Sequence, residues 1–119
     1  IDEFIVKFWD KNEKKVGKWY LDMREDDDVV ISATPSFFLE EICRRIGVKT
    51  LIATEIDRKT GKVVDPYCYR EGKLERLRLA FGDCVRLQAY YTDTPKDSTL
   101  LGFAEEGYIV KKGKITRVR

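Results

Sequence analysis

Histidine is absent from the 119 residues of this chain. Its absence excludes, within the chain, every mechanism that needs an imidazole, such as a Ser-His-Asp triad or a His-ligated zinc ion. Cysteine occurs three times, at Cys43, Cys68 and Cys84, with no CxxC spacing, so a zinc site would lack a fourth ligand. We expect each cysteine to be a small buried apolar side chain, and a Cys68–Cys84 disulfide is the alternative.

Long apolar runs and a surplus of one charge are also missing. No stretch approaches the roughly 20 apolar residues of a membrane span, and the first residues lack the order of a signal peptide. We therefore expect a cytoplasmic protein without a membrane partner. The net charge of +2 excludes a histone-like polybasic protein. Asn, Gln and Met occur once each while Lys, Arg and Glu are abundant, a composition typical of thermophiles.

Apolar spacing predicts the secondary structure of the first half. Alternation over residues 4–9 and 16–23 predicts a β-hairpin. Thr34 as N-cap, Pro35 at the first helical position and an apolar stripe at helical spacing predict a helix over about 35–46. Gly47 suits the left-handed position that ends such a helix.

The sequence predicts mostly strands in the second half of the chain. Residues 51–56 and 62–69 flank a turn with Gly61 at its left-handed position, and residues 85–91 alternate as a strand. Residues 72–81 fit either a helix or a strand. A last hairpin is predicted at 100–103 and 108–118, around Lys112-Gly113.

This order resembles the β-grasp, or ubiquitin-like, superfold. The resemblance rests on the Thr-started helix at 34–42 and on the leucine-spaced stretch 74–87, in which Gly-Asp-x-Val leads into a long strand. It implies an α+β fold with a mostly antiparallel sheet packed on one helix. The domain is then a single unit, 1–119, with a β-grasp-like core at 1–92 and a loop and basic hairpin at 93–119. An OB-like barrel is the competing architecture.

One face of the predicted sheet carries aromatic rings beside cations. Such a face can stack unpaired bases and bind phosphates, so we predict a non-catalytic domain that binds single-stranded nucleic acid. The predicted stacking residues are Trp9, Tyr20 and Tyr90. The predicted phosphate contacts are Lys7, Lys18, Arg86, Lys111, Lys112 and Lys114.

Alternatives to this site remain open from sequence alone. Trp9 and Tyr20 would be core residues if a second subunit or the last hairpin covered them. The lysines of the basic hairpin would then serve to prevent pairing of an exposed edge strand with another chain. A ubiquitin-like adaptor that binds another protein is the alternative function. A homodimer is a separate possibility for the oligomeric state. Nucleotide-binding and hydrolase motifs such as GxxxxGK[ST], GxGxxG and GxSxG are missing. The acidic corner at 25–28 lacks the spacing of an EF-hand. We therefore predict no catalytic residue, no metal and no cofactor.

Overall fold

The computed structural model describes residues 2–119. Helices and small mixed sheets alternate, which confirms the predicted α+β class. The helices are α1 (Asp2–Asn12), α2 (Lys18–Met23), α3 (Ser36–Ile46), α4 (Glu71–Phe81) and α5 (Ser98–Phe103), with a 3-10 helix at Glu13–Lys15. The strands are β1 (Val29–Pro35), β2 (Thr50–Ile56), β3 (Val63–Val64), β4 (Ala89–Thr92), β5 (Glu106–Lys111) and β6 (Lys114–Arg117).

The strands form two three-stranded sheets that repeat one pattern. In the first, β1 runs parallel to β2, and β3 pairs antiparallel with the other edge of β2. In the second, β4 runs parallel to β5, and β6 pairs antiparallel with β5. Within residues 2–119, β1 and β4 therefore each have one edge that pairs with no strand.

A shared apolar core joins the two sheets. Leu77 of α4 and Leu100 of α5 are fully buried together with Cys68, and Ile52 of β2 completes the cluster. Ile31 of β1 and Tyr90 of β4 pack against the same cluster. Helix α4 contacts β1 and β2, α5 contacts β4 and β5, and the two helices contact each other, so this core holds the two sheets together.

The N-terminal β-hairpin predicted at 4–9 and 16–23 is wrong, because both segments are helical. Ile5 and Trp9 lie one helical turn apart; Ile5 is buried, and the Trp9 indole Nε1 donates to the carbonyl oxygen of Phe38 in α3 at 2.9 Å. The run 4–9 is apolar enough to satisfy both a period of two and a period of 3.6, and packing on α3 selects the helix. Without that hairpin, the sheet order of a β-grasp fold is not formed.

The helix predicted at about 35–46 is confirmed as α3, which begins one residue later because Pro35 still belongs to β1. Gly47 ends it with φ +80°, a conformation that glycine adopts without strain. Glu41 and Arg45, about one turn apart on α3, form an ion pair at 2.6 Å. Arg44 also binds Glu41.

Of the predictions for the second half of the chain and for the cysteines, some are confirmed and some are wrong. The ambiguous stretch 72–81 is the helix α4, and only the end of the predicted strand 85–91 is a strand, β4. The turns at Gly61 and at Lys112-Gly113 are confirmed, but residues 100–103 belong to helix α5. The cysteines are all free: Cys43 and Cys68 are buried as expected, whereas Cys84 is exposed. Among the described residues, no helix combines the length and apolarity needed to cross a membrane.

Candidate active site

A cavity of about 660 Å³ opens between the two unpaired strand edges. Residues 31–33 of β1 line one side of it. Residues 90–92 of β4 and the following loop, 93–97, line the other. Side chains that follow a strand at its carboxyl end are a common place for ligand contacts in sheets with parallel strands, so this cavity is the candidate site.

The carboxylate of Asp97 is the centre of a hydrogen-bond cluster in the cavity. Its Oδ2 atom accepts bonds from Lys73 Nζ at 3.0 Å, from Thr92 Oγ1 at 3.2 Å and from the Tyr90 hydroxyl. The Lys73 and Asp97 side chains are only 14% and 7% exposed. A pair so far withdrawn from water is held by strong charge-assisted bonds, and each member depends on the other to offset its lost hydration.

Glycine at position 72 allows Lys73 to reach this cluster. Lys73 stands in the first turn of α4, directly after the loop that contains Tyr67. A Cβ atom at Gly72 would lie 1.7 Å from the Tyr67 carbonyl oxygen. The loop and the start of α4 can therefore approach each other only because residue 72 has no side chain.

Tyr90 is a permanent donor in the cluster. Burial, and after it the hydrogen bond to Asp97, raises the pKa of the Tyr90 phenol well above its usual value. The hydroxyl therefore stays protonated at any physiological pH. Asp93, by contrast, is exposed at the end of β4, where its carboxylate is open to the cavity.

Cations outnumber acids around the cavity. Besides Lys73, the lining contains Lys15, Arg70, Lys96 and Lys112, against the two acids Asp93 and Asp97. Four separate segments of the chain supply these additional cations. A concave site with this balance of charge attracts anions.

The structure does not bring the nine predicted nucleic-acid contacts onto one sheet face. Lys7 and Trp9 lie on α1, and Lys18 and Tyr20 lie on α2. Lys7 is within 3.1 Å of Glu3, while the indole of Trp9 is engaged by α3 as described above.

The remaining predicted contacts are distributed over the second sheet and its flanks. Arg86 is paired with Glu105 at 3.1 Å, and Lys111 and Lys114 lie on the exposed β5–β6 hairpin. Only Tyr90 and Lys112 line the cavity, and Tyr90 is engaged with Asp97 instead of presenting an open ring.

The acidic corner is a hydrogen-bonded turn. Carboxylate oxygens of Glu25, Asp27 and Asp28 lie within 4.8 Å of one another. Asp28 accepts bonds from the Tyr20 hydroxyl at 3.0 Å and from the Glu25 amide at 2.9 Å. These bonds account for its position before β1.

Sequence reasoning missed the residues at the centre of the site, Lys73, Asp93 and Asp97. The sequence predicts only a loop at the start of the region 93–119. The usable signal was its two aspartates, which follow directly after a strand, where a parallel sheet gathers ligand-binding side chains.

Comparisons with known proteins identify the family. Residues 14–102 match the model of the haloacid dehalogenase-like hydrolases. The protein CicA of Caulobacter vibrioides is 35% identical over 92 residues, which are 72% of this chain and 41% of that protein. A histidinol-phosphatase of Neisseria meningitidis is 30% identical over 95 residues, 71% of this chain and 43% of that protein.

A solved structure agrees with these matches. A protein of unknown function from Bordetella pertussis superimposes with a TM-score of 0.60 at 29% identity, over 66% of this chain and 40% of that one. This chain thus spans about two fifths of the length of the relatives it matches.

The family match overturns the functional predictions made from sequence. A non-catalytic domain for single-stranded nucleic acid is wrong, and so is a ubiquitin-like adaptor, because the matched model and the related phosphatase both point to an enzyme. The matched residues cover well over half of the sequence and include Lys73, Asp93 and Asp97. This chain belongs to the haloacid dehalogenase-like hydrolase family.

Proposed function

We propose that the cavity binds the phosphoryl group of a phosphate monoester and serves its hydrolysis. The observation that carries this proposal is the buried Lys73–Asp97 pair beside the open carboxylate of Asp93, in a cavity with an excess of cations. The related histidinol-phosphatase supports the reaction class.

Lys73 is the residue best suited to hold the phosphoryl group. Asp97, Tyr90 and Thr92 fix one another, and through Asp97 they fix the lysine. A positioned ammonium group at the edge of a cavity attracts non-bridging phosphoryl oxygens and stabilises the charge that develops on them during transfer. In the hydrolysis, a P–O bond forms to the oxygen of water and the ester P–O bond breaks. The departing alcohol oxygen takes up a proton.

The acids of the site fit a divalent cation. Mg²⁺ is commonly bound by one or two carboxylates together with phosphate oxygens of the substrate. All three bonds to Asp97 go to Oδ2, so among the described residues its Oδ1 atom is left for a ligand, and Asp93 offers a second carboxylate. A bound Mg²⁺ would supply charge neutralisation at the phosphoryl oxygens.

The first test measures the binding of inorganic phosphate to the 119-residue chain by 31P NMR and calorimetry, with and without Mg²⁺. We expect saturable binding that Lys73→Met abolishes and Lys111→Met, on the exposed hairpin, does not change. Hydrolysis of p-nitrophenyl phosphate is measured on the same samples. Failure of the unsubstituted chain to bind phosphate, or equal binding by Lys73→Met, would overturn the proposal.

A further inference from the structure

The cations around the cavity exceed what one phosphoryl group needs. Lys73 is neutralised by Asp97. The other four cations that line the cavity, Lys15, Arg70, Lys96 and Lys112, form no salt bridge with any residue in the part of the chain that the structure describes. Asp93 is the one other acid of the lining. A phosphoryl dianion and Asp93 together do not neutralise these four cations. A ligand with further negative charge therefore fits the cavity better.

Backbone conformation singles out two of these four cations. Within residues 2–119, Arg70 and Lys112 are the non-glycine residues with a left-handed backbone, at φ 53° and φ 51°. Both line the cavity. Such a conformation is unfavourable for a residue with a Cβ atom, and glycine would occupy it more readily.

Lys112 precedes Gly113 in the tight turn between β5 and β6, and this turn itself requires a left-handed backbone at both residues. Asparagine or glycine meets that requirement more readily than lysine. The lysine side chain itself is exposed and contributes no salt bridge to the hairpin. A lysine that lines the cavity and has no ion-pair partner among the described residues leaves its charge available to a ligand.

We infer that the substrate is a phosphate monoester whose leaving group carries a second anionic group, a carboxylate or another phosphate, which Arg70 and Lys112 bind. The inference rests on the proposed function, since it assigns the phosphoryl group to the Lys73 side of the same cavity. The fork of Arg70 suits either anion, because both accept two parallel N–H bonds from a guanidinium. Its guanidinium lies 5.2 Å from the centre of the Tyr69 ring, which supports the planar group from one side.

The experiment compares phosphonates that cannot be hydrolysed, by calorimetry on the unsubstituted chain at 0.15 M salt. Methylphosphonate has one anionic group, phosphonoacetate and methylenediphosphonate have two, and aminomethylphosphonate pairs one with an ammonium group. We expect the two doubly anionic compounds to bind about tenfold tighter than methylphosphonate, and aminomethylphosphonate to bind more weakly than either.

Two matched variants locate the second anion. Lys112→Asn removes a charge inside the cavity and Lys114→Asn removes one from the same hairpin outside it. We expect Lys112→Asn to lose most of the tenfold preference for two anions while methylphosphonate still binds. It should also leave the melting temperature unchanged or raised, because asparagine relieves the strain. Arg70→Gly is expected to act in the same way.

The outcomes separate this inference from the proposed function. If methylphosphonate binds and the doubly anionic compounds bind no tighter, the second subsite is overturned and the phosphatase proposal stands. Equal losses in Lys112→Asn and Lys114→Asn would also overturn the subsite, because the effect would then be one of general charge. If no phosphonate binds at all, the proposed function fails first.

Discussion

Lys73 and Asp97 are separated by 24 residues, yet the Lys73 Nζ atom lies 3.0 Å from the Asp97 Oδ2 atom with both side chains almost withdrawn from solvent. The start of α4 supplies one member and the loop after β4 supplies the other. Because each charge offsets the lost hydration of its partner, stability depends on the same two residues to which we assign phosphate binding.

Lys73→Met therefore tests both properties. It leaves the Asp97 carboxylate buried without its cation, and we expect the free energy of unfolding to fall by about 3 kcal/mol. Adding Asp97→Asn to Lys73→Met should recover much of this stability without recovering phosphate binding. The measurements are urea unfolding and calorimetry. Equal stability of the single and double variants would contradict the coupling.

Tyr90→Phe removes one donor to Asp97 and keeps the ring in the core. We expect a loss of about 1 kcal/mol in the free energy of unfolding, since Asp97 loses a hydrogen bond in a desolvated site. Tyr91→Phe on the same strand is the control: its ring stacks on Tyr108 at 4.6 Å between centroids and does not depend on the hydroxyl. A larger loss in Tyr91→Phe than in Tyr90→Phe would refute this assignment.

Tyr20 gives a prediction for alkaline pH. Burial, followed by the hydrogen bond to Asp28, raises the pKa of Tyr20 from its usual value of 10.0 to about 12. The folded state then holds the phenolic proton more tightly than the unfolded state, so this stabilisation is complete below pH 10 and is lost as pH rises through about 12.

Thermal unfolding from pH 8 to pH 12 checks this for Tyr20→Phe. We expect the variant to melt below the unsubstituted chain at pH 8, and the difference between the two melting temperatures to shrink as pH rises above 10. A difference that stays constant with pH would show that the hydroxyl contributes no proton-linked stability.

Arg45 holds the N-terminal helix to α3. Its guanidinium binds Glu41 on its own helix, Asp10 of α1 at 2.8 Å and Glu13 at 3.1 Å. Arg45→Ala should lower the melting temperature and speed amide exchange in α1. Arg44→Ala is the control, because that exposed side chain binds Glu41 alone and exposed pairs contribute little. Equal effects of the two substitutions would argue against a linking role for Arg45.

The buried hydroxyl of Thr54 lowers the free energy of unfolding. It is 2% exposed, and its Oγ1 atom has no hydrogen-bond partner among the described residues. Thr54→Val keeps the shape and removes the unsatisfied hydroxyl, so we expect the free energy of unfolding to rise by about 1 kcal/mol. Urea unfolding measures this change, with Thr50→Val at the partly exposed start of β2 as the control. A loss of stability in Thr54→Val would mean that the hydroxyl is satisfied in solution.

Features that local chemistry controls could be predicted from the sequence. Gly47 ends α3 at the expected residue, Gly61 has the left-handed backbone predicted for it, and the last hairpin turns at Lys112-Gly113 as predicted. Helix α3 could be recognised because Glu41 and Arg45, four residues apart, are neighbours in a helix but too far apart to pair along a strand. These signals act over a few residues and need no distant partner.

Contacts between residues far apart in the sequence set the first helix and the candidate site. Residues 4–9 are apolar at both periods, and contacts such as that of Trp9 with Phe38, 29 residues away, make them helical. Apart from the position of Asp97 in the loop after β4, nothing along the chain connects Lys73, Tyr90 and Asp97. They come together because the shared core around Leu77 and Leu100 holds α4 against the first sheet and α5 against the second. Burial of residues that are far apart in the sequence decides that arrangement, so the spacing of residues within one segment does not reveal it.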